Sequence, residues 1–491
     1  MSSPYDEIEY PSIALPQTWP DRLGTLAVLH GLRPPVEDAR VLELGCGDGL
    51  NLIAMAVAMP GLQCVGIDLA AQPIARGNGL LARVGISNIS LRQTDLADVR
   101  GELGTFDYVV AHGVYSWVSP DARERLFDLC RQHLAPHGVA YVSFNALPGG
   151  YLRQMTRRMM TYHVRNIDDP RRRVAEARNL LAFLVRAHAP EHPIAHLLRI
   201  EHQRLASLPD GQVFHDDLAP VNDAVGFDEF TSHAARHELQ YLCDAELESI
   251  GLEGLPPWVQ EQIGGVAGGD VIARQMYVDF VRDTTYRQTL LCRNDAELTR
   301  PPPPANVRGL YVASDARPVS PQPEVHTSKV ESFKGPTGAN VATSDPLAKG
   351  AMTALADAWP RTLRFDELVE SARSGARVGA DTSHQDHLAQ ILLTLCAGGL
   401  VQLHARPRAA LRDVADPPLA SPLARVQAGE GATVTTLDGV TLRLQDPALR
   451  QLLPLLDGTR DRAALRVQWP AAPAALDRAL AELGRAGLML R

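Results

Sequence analysis

The stretch Val41-Leu42-Glu43-Leu44-Gly45-Cys46-Gly47-Asp48-Gly49 decides the fold. Val41 to Leu44, the glycine-rich turn and the apolar segment Leu50 to Met59 predict a β-strand, a tight loop and a helix. Glycine lacks Cβ and tolerates positive φ, so such a loop brings backbone against a ligand. The helix behind it aims its first N–H groups and its positive dipole end at the same place. Spacing narrows the ligand. A dinucleotide fingerprint, G-x-G-x-x-G, requires a third glycine where Leu50 stands; the run is instead E-x-G-x-G-x-G. An acid at the strand end, Glu43, repels phosphate and suits a cationic ligand.

Outward from this loop, Cys64-Val65-Gly66-Ile67-Asp68 predicts a second strand ending in an acid, about one βαβ repeat later, where a carboxylate holds a ribose diol. Asp95, after a strand over Ile89 to Arg92, is placed to cap an adenine amino group. Strand-end carboxylates without a basic partner point to S-adenosylmethionine. With loop, Asp68 and Asp95 in this order and spacing, the sequence resembles the class I S-adenosylmethionine-dependent methyltransferases. The resemblance implies an α/β Rossmann-like domain and S-adenosylhomocysteine as product.

At 491 residues the chain is too long for one ordinary core, and several domains are expected. Its 45% hydrophobic and 21% charged content is that of a globular protein. The formal net charge of -9 argues against nucleic acid as partner, since no basic excess exists to neutralise phosphates. Cys46, Cys64, Cys130, Cys243, Cys292 and Cys396 lack metal-ligand spacing and are expected as reduced core thiols. The start, Met1-Ser2-Ser3-Pro4-Tyr5, has no charged lead into an apolar run, and no stretch of about 18 uncharged apolar residues occurs, so membrane insertion is not expected. A cytoplasmic location is expected.

Along the chain, Tyr5, Tyr10 and Pro16-Gln17-Thr18-Trp19-Pro20 form a proline-broken arm, which either packs on the domain or closes over the ligand. Strand-helix alternation continues with a helix over Ile74 to Val84, a buried strand Phe106 to Ala111, a helix over Asp121 to Leu134 and a strand over Val139 to Phe144. Parallel α/β sheets bind ligands beyond the carboxyl ends of their strands, so His112 to Val118 and Asn145 to Tyr151 should face the methyl group. His112, Tyr115 and Trp117 offer an imidazole, a phenol and an indole, an aromatic wall suited to an amine. Asn145 and Tyr151 add an amide and a second phenol. Arg153 to Thr161, Arg172 to Ala187 and Ile194 to Leu208 have helical spacing, with Arg171-Arg172-Arg173 a solvated helix start. His188, His192, His196 and His202 lack a H-E-x-x-H or carboxylate grouping, and no metal is expected.

Phe214-His215-Asp216-Asp217-Leu218-Ala219-Pro220-Val221-Asn222, Phe230 to Leu242, Asp279 to Arg282 and Tyr286 to Leu291 are similar to the helical regulatory domain of bacterial protein lysine methyltransferases of the rickettsial type, which modify an outer-membrane surface protein. Tyr10-Pro11, Pro16-Gln17-Thr18 and His112 to Val118 share the likeness, which spans roughly residues 1–300. It departs at Gly150, where an aromatic residue is expected after Pro148-Gly149, and at Glu238, where glycine is usual before Leu-Gln-Tyr. The resemblance implies cofactor contacts from Gln17, Thr18, Glu43, Gly45, Cys46, Gly47, Asp48, Asp68, Leu69, Asp95, Leu96 and His112. It also implies substrate-side roles for His112, Tyr115, Trp117, Asn145 and Tyr151, with no single general base assigned.

Pro301 to Pro304 ends this block. Val307 to Val312 has edge-strand character, and Pro318 to Ala342, rich in Pro, Ser, Thr and Gly, predicts a loop. Helices over Leu347 to Trp359, Phe365 to Ser374 and His384 to Ala397, then a strand over Leu400 to His404, give a winged-helix order, which recurs faintly over Pro447 to Leu490. Without a basic recognition helix this region should contact protein, by homodimerisation or substrate docking. The expected division is a methyltransferase domain over 1–165, a helical regulatory domain over 166–305, a linker over 306–345 and a winged-helix-like domain over 346–491. The favoured function is N-methylation of lysine on a protein or peptide. The alternatives are methylation of a small molecule or biosynthetic peptide, and a non-catalytic scaffold that keeps the cofactor fold.

Overall fold

Strands and helices alternate from residue 40 onward in the structure, a computed structural model that describes residues 10–490 except 101–102, 247–251, 253, 380, 382, 412 and 470–472. Tyr5 lies outside the described residues. After α1 (Pro20–Leu29) come β1 (Arg40–Leu44), α2 (Leu50–Ala58), β2 (Gln63–Asp68), α3 (Ala71–Val84), β3 (Ile89–Gln93), β4 (Phe106–Ala111), α4 (Pro120–His133) and β5 (Leu134–Ala146). These strands are parallel, in the spatial order β3-β2-β1-β4-β5. The order reverses between β1 and β4, which opens a crevice beyond their carboxyl ends. Strands β1, β4 and β5 are apolar on both faces because helices cover both. On one face α1, α2 and α3 pack against Tyr108, Val110 and Tyr141; on the other, Phe127 of α4 packs against Val109, Val142 and Phe144.

Next come α5 (Gly150–His163), α6 (Pro170–Ala187) and α7 (Pro193–Ser207), built on the predicted periodicity around Met160, Leu181, Leu198 and Leu205. Asp169 caps α6 by accepting the Arg172 N–H at 2.7 Å, so the arginine run is that helix's first turn. The chain continues through α8 (Asp210–Gln212), a π-helical turn (Val213–Asp217), β6 (Ala224–Val225), α9 (Phe227–Arg236), β7 (Leu239–Asp244), α10 (Pro257–Ala267), α11 (Val271–Arg282) and β8 (Tyr286–Arg293). β6 pairs parallel beside the end of β5; β8 pairs antiparallel with β5, and β7 antiparallel with β8. The stretch 166–305 is therefore all-helical only in its first part; its second part mixes α9, α10 and α11 with β6, β7 and β8, which complete an eight-stranded sheet begun by residue 40.

The region beyond Pro304 has more structure than its composition suggests. Tyr311–Ala313 is the middle strand of a small sheet with Leu363–Arg364 and Gln402–His404, covered by helices Pro346–Ala358, Phe365–Ala376 and Ser383–Ala397. The expected loop over Pro318 to Ala342 contains strand Glu331–Lys334, paired with Asn340–Thr343. Its alternation buries Glu331 and Phe333, and Phe333 anchors the hairpin in the same core. A second helical core gathers Leu452, Leu456, Leu476 and Leu480 behind the hairpin Thr433–Thr435 and Thr441–Arg443. This double C-terminal unit rests on the first domain. Leu423 and Leu437 join the core over α2, and Asp21 accepts from the Ala405 and Arg406 N–H groups and pairs with His404 at 2.7 Å.

Candidate active site

Gly45, Gly47 and Gly49 hold φ of 74°, 59° and 72°, the left-handed region that favours glycine. Their surroundings differ. A Cβ on Gly45 would stand 2.5 Å from Val114 and one on Gly49 2.5 Å from Leu91, whereas one on Gly47 would meet nothing. Gly47 is thus the point where bare backbone faces open space. Asp68 secures the loop: its carboxylate accepts from Gly47 N and Ala70 N, each at 2.8 Å. Asp48 accepts from Ser12 at 2.5 Å and from Leu50 N at 3.1 Å. Cys46 packs beneath the loop, where burial pushes its thiol pKa well up. Asp95 caps the turn Leu96–Asp98 by accepting the Ala97 N–H at 2.9 Å. Leu69 is 59% exposed beside Asp68, and Leu96 is half-buried.

Glu43 is the electrostatic centre. Asn51 donates to its Oε1 at 3.1 Å and to Thr18 at 3.0 Å, while Asn51 Oδ1 accepts from Trp19 Nε1 at 3.0 Å and Leu15 N at 2.9 Å. The other carboxyl oxygen, Oε2, is buried with no partner. Burial raises the Glu43 pKa to about 8, Asp48 and Asp68 push the same way, and Asn51 partly offsets them. The N-terminal arm thus packs against the domain and also borders the site. Gln17 reaches the Tyr141 hydroxyl.

Beyond β4, His112 Nδ1 lies 2.9 Å from the Tyr141 hydroxyl, which donates to Gln288 Oε1 at 2.7 Å. With the phenol proton on Gln288, Nδ1 carries the imidazole proton and Nε2 the lone pair. Burial lowers the His112 pKa to about 4. Its ring stacks on Tyr141 and meets the edge of Tyr286. Asn145, at the end of β5, donates to Asn222 Oδ1 at 2.8 Å while its own Oδ1 is buried without a partner. Asn222 in turn donates to the Asp216 carbonyl. The Asp216 carboxyl faces Tyr10 and is raised by burial to about 6.

Tyr115 does not join this group. The turn Tyr115–Trp117 carries its ring to the opposite face of the sheet, among Phe127, Phe144 and Phe230, and its hydroxyl pairs with His233 at 2.9 Å. The expectation that Tyr115 faces the methyl group is corrected: both ring and hydroxyl are occupied by the core. Trp117 is half-buried with its indole N–H unpartnered, and Tyr151 is 62% exposed on α5. Neither makes a hydrogen bond to Asn145. His188 bonds the carbonyl of Leu184 and His192 caps α7 by accepting from Ile194 N. Asn51 contacts Glu43, Tyr141 and Tyr286 contact His112, and Asn222 joins Asn145 to the Asp216 carbonyl; no local sequence pattern marks them. Asn51 sits in an apolar helix and Tyr141 in an apolar strand, so neither stands out by pattern; Asp216, Asn222 and Tyr286 stand in stretches whose place in the fold the sequence does not give.

Residues 41–138 match the family described as a methyltransferase domain, 209–293 a predicted methyltransferase regulatory domain, and 416–487 the PKMT C-terminal winged helix domain. Protein RP789 of Rickettsia prowazekii is 34% identical over 381 residues, covering 76% of this chain and 68% of that protein. RP028 of the same organism is 32% identical over 240 residues, 48% of this chain and 96% of that one. The structure of PKMT2 from Rickettsia typhi, solved also in complex with AdoHcy, superposes with a TM-score of 0.83 at 25% identity over 98% of this chain and 100% of that one.

Proposed function

Because the chain belongs to the family of class I S-adenosylmethionine-dependent methyltransferases with a regulatory domain and a PKMT-type winged helix, we propose that it N-methylates lysine side chains of a protein substrate. The unpartnered Glu43 Oε2 and the uncovered Gly47 backbone fit a cationic ligand that needs an acceptor and close approach. In this reading the loop Gly45-Cys46-Gly47-Asp48, with Gln17 and Thr18, borders the amino-acid end of the cofactor. Asp68 accepts from the ribose hydroxyls, while Leu69, Asp95 and Leu96 border the adenine. When bound, the cofactor supplies a methyl group activated by a sulfonium.

The observation that carries the lysine reading is a pair of acceptors: the buried, unpartnered Asn145 Oδ1 at the end of β5 and the carboxyl of Asp216, a residue whose backbone carbonyl Asn222 ties to Asn145. Methyl transfer is an in-line displacement, so the protein aligns the nucleophile and excludes water. A lysine with an unperturbed pKa of about 10.4 must first lose its proton, and burial favours the neutral amine. Asp216 attracts the ammonium, Asn145 Oδ1 accepts an N–H and turns the lone pair toward the methyl carbon, and His112 and Tyr286 form the aromatic wall. His112 stays neutral and so does not repel the cation. The two C-terminal cores select the protein carrying the lysine, in the cytoplasm where the cofactor is made.

The test is incubation of the full chain with methyl-labelled S-adenosylmethionine and a bacterial lysate, with label resolved by mass. Label on protein lysines supports the reading; label confined to small molecules overturns it. Asn145→Ala should lower kcat/KM at least about tenfold while cofactor affinity stays within about twofold.

A further inference from the structure

On the sheet face away from the cofactor crevice, α9 and the residue after it carry His233 and His237, one turn apart and on one side of the helix. Both direct Nε2 at Glu124 of α4. His237 Nε2 lies 2.8 Å from Glu124 Oε2, and His233 Nε2 lies 3.2 Å from Oε1. The ligand atoms of the three residues fall within 4.8 Å of one another. Each imidazole has its other nitrogen held from behind: His233 Nδ1 by the Tyr115 hydroxyl at 2.9 Å, His237 Nδ1 by the Asp128 carboxylate at 2.9 Å. Metal-ligating histidines are oriented in this way, with the second nitrogen bonded to a carboxylate or hydroxyl. His233 is 7% exposed, and despite its nearness to Glu124 its Nε2 makes no hydrogen bond. A buried ring nitrogen is thus aimed at an acid 3.2 Å away without the geometry of a hydrogen bond.

We propose that Glu124, His233 and His237 bind one divalent transition-metal ion of the zinc class, clamping α9 to α4. Two imidazoles and a carboxylate are a borderline N/O donor set, with the fourth position open to water because the Glu124 side chain is 50% exposed. Around a tetrahedral ion with bonds of about 2.0–2.1 Å, neighbouring ligand atoms stand about 3.3 Å apart. The two distances run to different oxygens of Glu124, and one ligand atom from each residue lies within 4.8 Å of the others, so binding requires the rings and the carboxylate to close around the ion. Arg236 occupies Glu124 Oε1 at 3.2 Å, but its side chain is 61% exposed and can swing to solvent. The ion fastens the segment that supplies β6 to β8 to the helix that follows the crevice loop. It also holds Tyr115, whose carbonyl accepts from Arg123 Nε.

The test uses the full chain, stripped by chelator and freed of any affinity tag, titrated with Co²⁺ and with Zn²⁺. Expected are one tight equivalent of Co²⁺ with the visible bands of a low-coordinate N/O site, and a rise in Tm that saturates at one Zn²⁺. His237→Ala and Glu124→Gln should each weaken binding by about 100-fold or more, and Asp128→Asn by about tenfold. X-ray absorption of the zinc-loaded wild type should report two imidazoles, a result independent of whether any variant folds. Failure of the wild type to bind, binding undiminished in both ligand variants, or a spectrum without two imidazoles would each overturn the site.

Discussion

With Glu43 as the proposed acceptor of the cofactor's cation, cofactor binding is expected to depend on pH. Its carboxyl, held near 8 against an ordinary value of 4.5, keeps its proton in the folded chain over a range where the unfolded chain has lost it. The native state binds more protons there, so Glu43 withdraws stability as pH climbs from about 4.5 to 8. A cation placed at Oε2 reverses this by favouring the ionised acid. Cofactor affinity should therefore rise by up to about tenfold per pH unit between pH 6 and 7 and level off above 8, with release of up to one proton per chain. Titration calorimetry in two buffers of different ionisation heat reads both, and Glu43→Gln should flatten the curve. Tyr115→Phe makes the opposite test. It should leave methyl transfer unchanged and cost about 1 kcal/mol of unfolding free energy for the lost His233 bond; a large fall in turnover would return Tyr115 to the crevice. At Glu238 the structure shows why the family pattern has glycine. Its φ of 57° is the left-handed residue that ends α9, where glycine is at ease. The places of Glu43, Gly45, Gly47, Asp68 and Asp95 at or just beyond strand ends were legible in the sequence because strand, turn and helix alternate strongly there. Asn145, Asn222, Asp216 and Tyr286 meet only through strand pairing and a π-helical turn, which no local pattern announces.

Arg287 shows how the elements of the regulatory segment are tied to the sheet. From β8 it donates to both Asp279 oxygens, to Asp244 of β7 and to Gln275, and its guanidinium lies over the Phe227 ring at 3.9 Å. One side chain thus joins α9, α11, β7 and β8. Arg287→Met leaves two carboxylates buried without their cation and should cost about 3–5 kcal/mol, read by denaturant unfolding; a loss under about 1 kcal/mol would mean that the carboxylates find other partners. The α/β alternation up to Phe144 and the helices between 150 and 208 were readable because their periodicity is strong. Two features were not. β7 and β8 sit next to strongly helical stretches, and their place beside β5 depends on pairing across the chain. The hairpin Glu331–Lys334 with Asn340–Thr343 owes its position to one buried ring, Phe333, inside a composition that otherwise signals loop.

Across the whole molecule, the C-terminal unit reaches Glu43 through a short chain of contacts. Gly439, at φ 77° in the tip of the last hairpin, lies so close to Trp19 that a Cβ there would stand 2.7 Å from the indole. Trp19 holds Asn51, and Asn51 holds Glu43. Gly439→Ala is expected to part hairpin and indole and to weaken cofactor binding several-fold at unchanged secondary structure; unchanged affinity in a folded variant would break the chain of reasoning at Trp19. The winged-helix order was visible in the sequence, but its docking on α2 was not, since apolar residues look alike whichever surface they cover. That docking has a consequence for how the protein is made. α2 is buried on every side, from Asn51 to Val57, and part of its cover comes from Leu423 and Leu437. A ribosome working at about 5–20 residues per second releases α2 tens of seconds before those leucines exist. For that interval the helix behind the glycine loop waits with an apolar flank in water, and an early, incomplete chain offers a sticky surface that the finished one hides beneath Leu423 and Leu437.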